Sequence, residues 1–312
     1  MTVIVTGGLG FIGSNFVIQH LERHKDDVIV VDNESYASSR ENLSVVASDK
    51  RVKAYKVDIA DPKRLRKVFE KYKPSMVYNF AAESHVDNSI HSDYQFIQTN
   101  IIGTHNLLQL VREFDTKLLH VSTDEVYGCL PLEGDDKFTE QTAYSPNNPY
   151  SATKAASDHL VRAYYKTHGV KAVVTNCSNN YGPRQHAEKF IPTIIRRAKA
   201  GEPIPVYGNG NYVRDWLYVD DHCTALLDIG DKFVYGERYN IGGHYEVSNI
   251  NLVKYVLSVM GKPQSLITYV KDRPGHDTRY AISTKKIQRE LGWRPTMTFE
   301  MGMRKTLEWC NA

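Results

Sequence analysis

A glycine-rich turn directly behind the first apolar run constrains this chain more than any other feature. Thr2-Val3-Ile4-Val5-Thr6 reads as a strand, and Gly7-Gly8-Leu9-Gly10-Phe11-Ile12-Gly13 follows at once. Glycines at 7, 10 and 13 allow a tight turn, a close approach of backbone N–H groups to a pyrophosphate, and close packing of the next helix on the strand. Asp32 ends the second apolar run, about 20 residues on, where a carboxylate would hydrogen-bond an adenosine ribose and disfavour a 2′-phosphate. The pattern predicts NAD rather than NADP, held by Gly7, Gly10, Phe11, Ile12, Gly13 and Asp32.

The rest of the first half supports that reading. Apolar runs recur at 3–5, 28–31, 52–57, 76–80, 117–121 and 172–175, with helical patterns between them. Asp61-Pro62 is a helix start: an N-cap carboxylate with proline at the first helical position. Such alternation implies parallel strands with right-handed crossovers, hence an α/β, Rossmann-like doubly wound parallel sheet. Beyond about Asn176 the chain becomes richer in Pro, Gly and Tyr. We expect residues 1–176 to form the dinucleotide-binding domain. Residues 177–312 should form a smaller mixed C-terminal substrate-binding lobe, with segments free to return to the main sheet. Ser248 caps a predicted helix over 249–260, and 299–309 reads as a final helix.

Composition excludes several alternatives. With 312 residues, 41% hydrophobic and 24% charged, the chain can bury a core and is neither disordered nor fibrous. The net charge of +3 is spread without basic runs, so a broad nucleic-acid surface is unsupported. Cys129, Cys177, Cys223 and Cys310 match no metal-ligand spacing and read as reduced thiols of a cytoplasmic protein. No apolar run approaches the roughly 18 residues of a membrane span, and no metal site is expected.

The chemistry-bearing residues follow the strand ends, where open α/β sheets bind ligands. Asp58-Ile59 closes the third strand, with Asp58 either contacting adenine or capping a helix. Phe80-Ala81-Ala82 closes the fourth, its small residues letting a cofactor pass. Thr99 and Asn100 are expected to begin the next helix. Ser122-Thr123-Asp124-Glu125 closes the fifth strand. A hydroxyl there can share a proton with Tyr150, while two adjacent carboxyls repel, so burial can keep one protonated. Tyr150 and Lys154 lie four apart on a predicted helix and share a face. A nearby ammonium would lower the phenol's pKa towards neutrality.

At these residues the chain resembles the nucleotide-sugar 4,6-dehydratases of the extended short-chain dehydrogenase/reductase family. The likeness runs through Thr6–Gly13, Ala81–Asp87, Ser122–Gly128, Tyr150–Lys154, Asn176–Pro183, Arg214-Asp215-Trp216, Asn240–His244 and Asp272–Asp277. The Asp-Glu pair discriminates, because related 4-epimerases lack both carboxylates. The resemblance implies a hydro-lyase acting on a nucleotide sugar, dTDP-glucose first and UDP-glucose as the alternative, with a 4-epimerase as a weaker one. Tyr150 would take the proton of the 4-hydroxyl as NAD is reduced, Glu125 the C5 proton, and Asp124 would protonate the leaving 6-hydroxyl. Thr123 and Lys154 complete the catalytic set. The family pattern further implies Asn180 on the cofactor and Ser84, Thr123, Asn179, Lys189, Tyr207, Arg214, Asn249, Arg273 and His276 on the substrate. Tyr207 is equally compatible with core packing. A homodimer is implied, paired through the helices after Asn100 and Tyr150, with Ile101, Leu108, Val111, Leu160 and Val161 as the apolar residues.

Overall fold

The computed structural model describes residues 1–311. Its centre is a sheet of seven strands: β1 (Thr2–Thr6), β2 (Asp27–Asp32), β3 (Val52–Lys56), β4 (Met76–Asn79), β5 (Lys117–Thr123), β6 (Ala172–Cys177) and β10 (Arg238–Ile241). They lie in the order β10-β6-β5-β4-β1-β2-β3, all parallel. Because β1 pairs with both β2 and β4, the chain reverses its direction of travel there, and a crevice opens at the strands' carboxyl ends.

Apolar residues alternate between the two faces of this sheet. Val3, Val5, Val28 and Val30 pack on one side with α1 (Phe11–Arg23) and α8 (Val219–Lys232). Ile4, Ile29, Val31 and Val77 pack on the other with α2 (Pro62–Tyr72), α5 (Thr104–Glu113) and α6 (Pro149–His168). The α2 cap forms as its sequence dictates, Asp61 Oδ1 accepting from the backbone N–H groups of Lys63 and Arg64. The strand β10 and the helix α8 come from the second half of the chain yet belong to this central stack.

Two short helices, α3 (Val86–His91) and α4 (Tyr94–Phe96), precede α5. Here one expectation is corrected: Thr99 and Asn100 do not begin a helix. They sit inside a π-helical stretch, Ile97–Gly103, which joins α4 to α5 without a break. An apolar-spacing argument cannot see this, because a π turn alters the hydrogen-bond ladder rather than the composition. Three of the five expected pairing residues are also corrected. Leu108, Val111 and Val161 are buried against the sheet, where they cannot face a partner, whereas Ile101 and Leu160 are half-buried.

The remaining elements form a second layer beside the crevice. They are β7 (Asn179–Tyr181), α7 (Phe190–Ala200), β8 (Ile204–Tyr207), β9 (Val213–Tyr218), β11 (Glu246–Ser248), α9 (Asn249–Val259), β12 (Ile267–Val270), α10 (Lys285–Leu291) and α11 (Phe299–Asn311). Small sheets β11-β9-β7 and β12-β8 pack with α7, α9 and α11 around Tyr181, Ile194, Trp216, Leu252 and Met303. Ser248 caps α9, its hydroxyl accepting from Asn251 N–H.

Candidate active site

Every residue assigned above to the cofactor lines one cleft at the carboxyl ends of the strands. Gly7 has φ +65°, and a Cβ there would sit 2.7 Å from the backbone nitrogen of Ala81. A Cβ on Gly13 would fall 2.2 Å from the Gly7 carbonyl oxygen. The turn is therefore closed to side chains, and backbone forms this wall. Helix α1 begins at Gly10 with no side-chain cap and no acidic residue in its first turn. Its first N–H groups are free for an anion, and the helix dipole favours one. Asp32 is nearly fully buried. One of its oxygens accepts from Leu9 N–H at 3.0 Å and the other from Glu34 N–H at 2.8 Å, so it also braces the glycine turn. Asp58 caps no helix, since Asp61 does. It accepts from Ala60 N–H and Asn33 Nδ2 and faces the cleft. Buried oxygens on the cleft wall, Ser122 Oγ and Asn179 Oδ1 among them, have no partner among the described residues. A cleft with a bare helix start and unpaired polar atoms fits a dinucleotide.

The reacting groups converge where β5 ends. Thr123 is the last residue of the strand, and its hydroxyl accepts from Glu125 N–H, capping the single turn Asp124–Tyr127. That turn points Glu125 into the cleft and drives Asp124 beneath it. Glu125 Oε2 is held by Ser151 Oγ at 3.2 Å and Asn148 Nδ2 at 3.5 Å, both at the start of α6. Asp124 is 2% exposed. Burial, then the negative fields of Glu125 and Asp215, push its carboxyl well above the usual range. Two carboxyls in different surroundings, one buried and one open to the cleft, thus stand side by side.

Tyr150 and Lys154 share a face of α6 as expected, but their electrostatics differ from expectation. Lys154 Nζ donates to the Val121 carbonyl at 2.9 Å, tying the helix to β5. Burial lowers its ammonium's pKa, while Asp158 opposes the shift. Burial and the Glu125 charge raise the Tyr150 phenol well above its ordinary value. The protein alone therefore presents a neutral phenol. Spacing on a helix shows that two groups share a face, not where their polar ends point.

The residues assigned to the substrate divide into two groups. Ser84, Thr123, Asn179 and Lys189 line the same cleft. Lys189 Nζ donates to the Ser84 carbonyl at 2.7 Å, and burial lowers its pKa. Tyr207, Arg214, Asn249, Arg273 and His276 stand outside it, in the second layer. Arg214 is buried, with its Nη atoms donating to the carbonyls of Val213 and Asp277 and its guanidinium over the Tyr280 ring. Arg273 Nη1 is 2.8 Å from Asp87 Oδ1, and the Tyr207 hydroxyl donates to Asp87 Oδ2 at 3.1 Å. Burial opposes ionisation of Asp87, but Arg273 prevails and holds its carboxyl low. The core-packing alternative for Tyr207 falls, because the ring is 36% exposed. His276 Nδ1 lies 2.7 Å from Asp272 Oδ1, and burial with the Arg273 charge brings its pKa down to about 4. Asn249 opens α9, its N–H donating to the Tyr212 carbonyl.

Sequence reasoning missed Asn33, Ser35 and Ser38, which continue from Asp32 along the cleft wall, and Cys177 and Gln185 opposite them. Proximity to Asp32 was a usable signal for the first three. Nothing local marks Gln185, which reaches the cleft by a bend after β7.

The family model for GDP-mannose 4,6 dehydratase matches residues 4–306. The dTDP-glucose 4,6-dehydratase of Neisseria meningitidis serogroup B is 49% identical, the alignment covering 98% of this chain and 92% of that protein. The crystal structure of DesIV, a dTDP-glucose 4,6-dehydratase from Streptomyces venezuelae with NAD and TYD bound, superposes with TM-score 0.96 at 41% identity, covering 100% of this chain and 97% of that one. A Thermus thermophilus UDP-glucose 4-epimerase complexed with NAD reaches TM-score 0.92 at 31% identity, covering 100% and 99%. Backbone shape alone therefore does not separate dehydratase from epimerase, whereas sequence identity does. By both the family model and its relatives along nearly the whole chain, this protein belongs to the dTDP-glucose 4,6-dehydratases, within the wider GDP-mannose 4,6 dehydratase family.

Proposed function

We propose that this protein removes water from dTDP-glucose to give the 4-keto-6-deoxy sugar nucleotide, with NAD resident in the cleft. The observation that carries the reading is the Asp124-Glu125 pair. Burial pushes one carboxyl well above the usual range, and its neighbour is held open to the cleft. A 4-epimerase has no use for either group.

When bound, NAD supplies a reversible two-electron acceptor and a positively charged ring that favours an ionised phenol. The glycine turn, Asp32, Asp58 and Asn180 would hold its length, and Lys154 its nicotinamide ribose. Tyr150 would receive the proton of the sugar's 4-hydroxyl, with Thr123 sharing it. The resulting 4-ketone acidifies the hydrogen at C5, which Glu125 would remove. Asp124 would give its proton to the departing 6-hydroxyl, so that water leaves; the hydride taken from C4 would then return to C6 and a proton to C5, giving the 6-deoxy sugar with the cofactor as it began. Each such proton transfer is typically worth about 10²–10⁴-fold in rate. Ser84, Asn179 and Lys189 would line the sugar, and Arg214, Arg273, Asn249, His276 and Tyr207 the nucleotide, where guanidinium matches a diphosphate.

Purified protein given dTDP-glucose or UDP-glucose without added NAD tests the reading by mass spectrometry. Loss of one water from the thymidine nucleotide supports it, and faster loss from UDP-glucose reassigns the base. Isomerisation without mass change returns the epimerase, and no reaction even with NAD supplied defeats both.

The assembly is a homodimer in this reading. With Leu108, Val111 and Val161 facing inward, the half-buried Ile101 and Leu160 remain for pairing, together with Tyr94, Ile97 and Ile102, exposed by 66%, 38% and 39% along the helices leading into α5. The four cysteines, unpaired among the described residues, accord with a reducing cytoplasm.

A further inference from the structure

Glu125 approaches the cleft from the turn after β5, yet the groups that fix its carboxylate belong to α6. Ser151 Oγ stands 3.2 Å from Glu125 Oε2, and Asn148 Nδ2 stands 3.5 Å from the same atom. Both residues are buried. Both donate, because an ionised carboxylate only accepts. Among the described residues the Ser151 hydroxyl has no other partner. The Asn148 amide cannot turn round. Its Oδ1 caps the helix by accepting from Ser151 N–H at 2.9 Å, which leaves its NH2 on the Glu125 side. The other groups of this helix start are already satisfied. Pro149 has no N–H to offer, Tyr150 N–H donates to Ser89 Oγ at 3.2 Å, and Ala152 N–H donates to the Asn148 carbonyl at 2.9 Å. Ser89 Oγ donates in turn to the Val86 carbonyl at 2.6 Å. Side chains therefore hold this carboxylate, whereas the start of α1 is bare.

Only one of the two carboxylate oxygens is held. Oε2 takes both bonds, and Oε1 has no hydrogen-bond partner among the described residues. Glu125 itself is half-buried and lines the cleft. Tyr150 lies between Asn148 and Ser151 in the chain, so the phenol and the clamp share the first turn of α6. C4 and C5 are neighbouring atoms of one sugar ring. The groups that serve them need a fixed separation, and one rigid helical turn provides it.

We propose that Ser151 and Asn148 are positioning residues for Glu125: they anchor Oε2, leave Oε1 as the atom that takes the C5 proton, and tie this base to the helix that carries Tyr150. This rests on the function proposed above. In the step they serve, the C5–H bond breaks towards Oε1 and its electron pair forms the C5–C6 double bond. The C6–O bond breaks as the oxygen takes the Asp124 proton and leaves as water. Without the clamp the carboxylate can take other rotamers, and this step slows. Oxidation at C4, which Glu125 does not perform, keeps its rate.

The test uses the full-length protein with its NAD, mixed rapidly with dTDP-glucose and followed by the absorbance of the reduced nicotinamide. In S151A that absorbance should rise as in wild type and decay about 10- to 100-fold more slowly, with kcat lowered to match and KM within about twofold. Deuterium at C5 of the sugar should slow the decay further, which places the delay at proton removal. S151T, which restores the hydroxyl, should recover most of the rate. N148S keeps a capping hydroxyl but withdraws the amide donor, and should show the same slow decay to a smaller extent. It carries the test should S151A not fold. A decay at the wild-type rate in both variants overturns the proposal. So does a rise slowed as much as the decay, which is the mark of a general structural loss. Failure of the function itself looks different: wild-type protein would then release no water from dTDP-glucose at all.

Discussion

The two halves of the site are built from different materials. The cofactor half is backbone: a glycine turn, a bare helix start and small residues at strand ends, all within the first half of the chain apart from Asn180 and its neighbours. The half proposed for the substrate is long cationic side chains already engaged with the protein. Arg273 is paired with Asp87, Lys189 with Ser84, and Arg214 with two carbonyls. The first half of the site is a rigid mould, since a Cβ at Gly7 or Gly13 meets main chain. The second is a set of contacts that a diphosphate, on the proposed function, would exchange for its own.

The sharpest test lies where the halves meet. D124N should lower kcat by about 10²–10⁴-fold while leaving NAD content and KM near wild type, because the proton donor touches neither half's binding contacts. Water loss followed by mass spectrometry reads the rate, and near-normal turnover would remove Asp124 from the mechanism. R273A should weaken dTDP by about 10- to 100-fold, the value of one or two charge-assisted hydrogen bonds, with NAD retention unchanged. Calorimetric titration with dTDP measures it, and loss of NAD as well would mean that the halves are not separable. G13A should do the reverse. Overpacking against the Gly7 carbonyl should cost about 1–3 kcal/mol of stability and strip NAD, both read from denaturation and absorbance of the purified protein. D87N should give the smallest change, a severalfold tighter dTDP, because the diphosphate no longer displaces a carboxylate. Weaker binding would show that Asp87 orients Arg273 rather than competing for it.

The same division explains what could be read from the sequence. The glycine turn and Asp32 are legible because the geometry they serve is local, completed within one strand–turn–helix unit. Asp124 and Glu125 are legible because they follow an apolar run, and strand ends face the crevice. The partners of the cations are not legible: Asp87 and Arg273 are 186 residues apart, Ser84 and Lys189 105. No spacing rule joins them, and only packing of the second layer brings them together. The Lys154–Val121 bond falls in the same class. Helix periodicity placed Lys154 on the right face, but the strand that receives its ammonium is a tertiary fact. The return of β10 to the edge of the sheet beside β6 is another, since four residues, Arg238–Ile241, give too short a run to declare a partner.

The π-helical stretch at Ile97–Gly103 carries one more consequence. Its Asn100 amide leaves the helix to bond Glu83 N–H, the Glu83 carbonyl and Thr153 Oγ1, stitching the strand-end loop to α6. Gly103 closes the same stretch against Ile59, where a Cβ would come within 2.5 Å of that side chain. In a regular helix each residue advances the facing direction by roughly 100°. A widened turn breaks that clock, so Tyr94, Ile97 and Ile102 can look outward while Leu107, Leu108 and Val111 a turn later look in. Deleting a single residue here would reset the phase. The chain could then keep the Asn100 stitch or the buried stripe of α5, but not both.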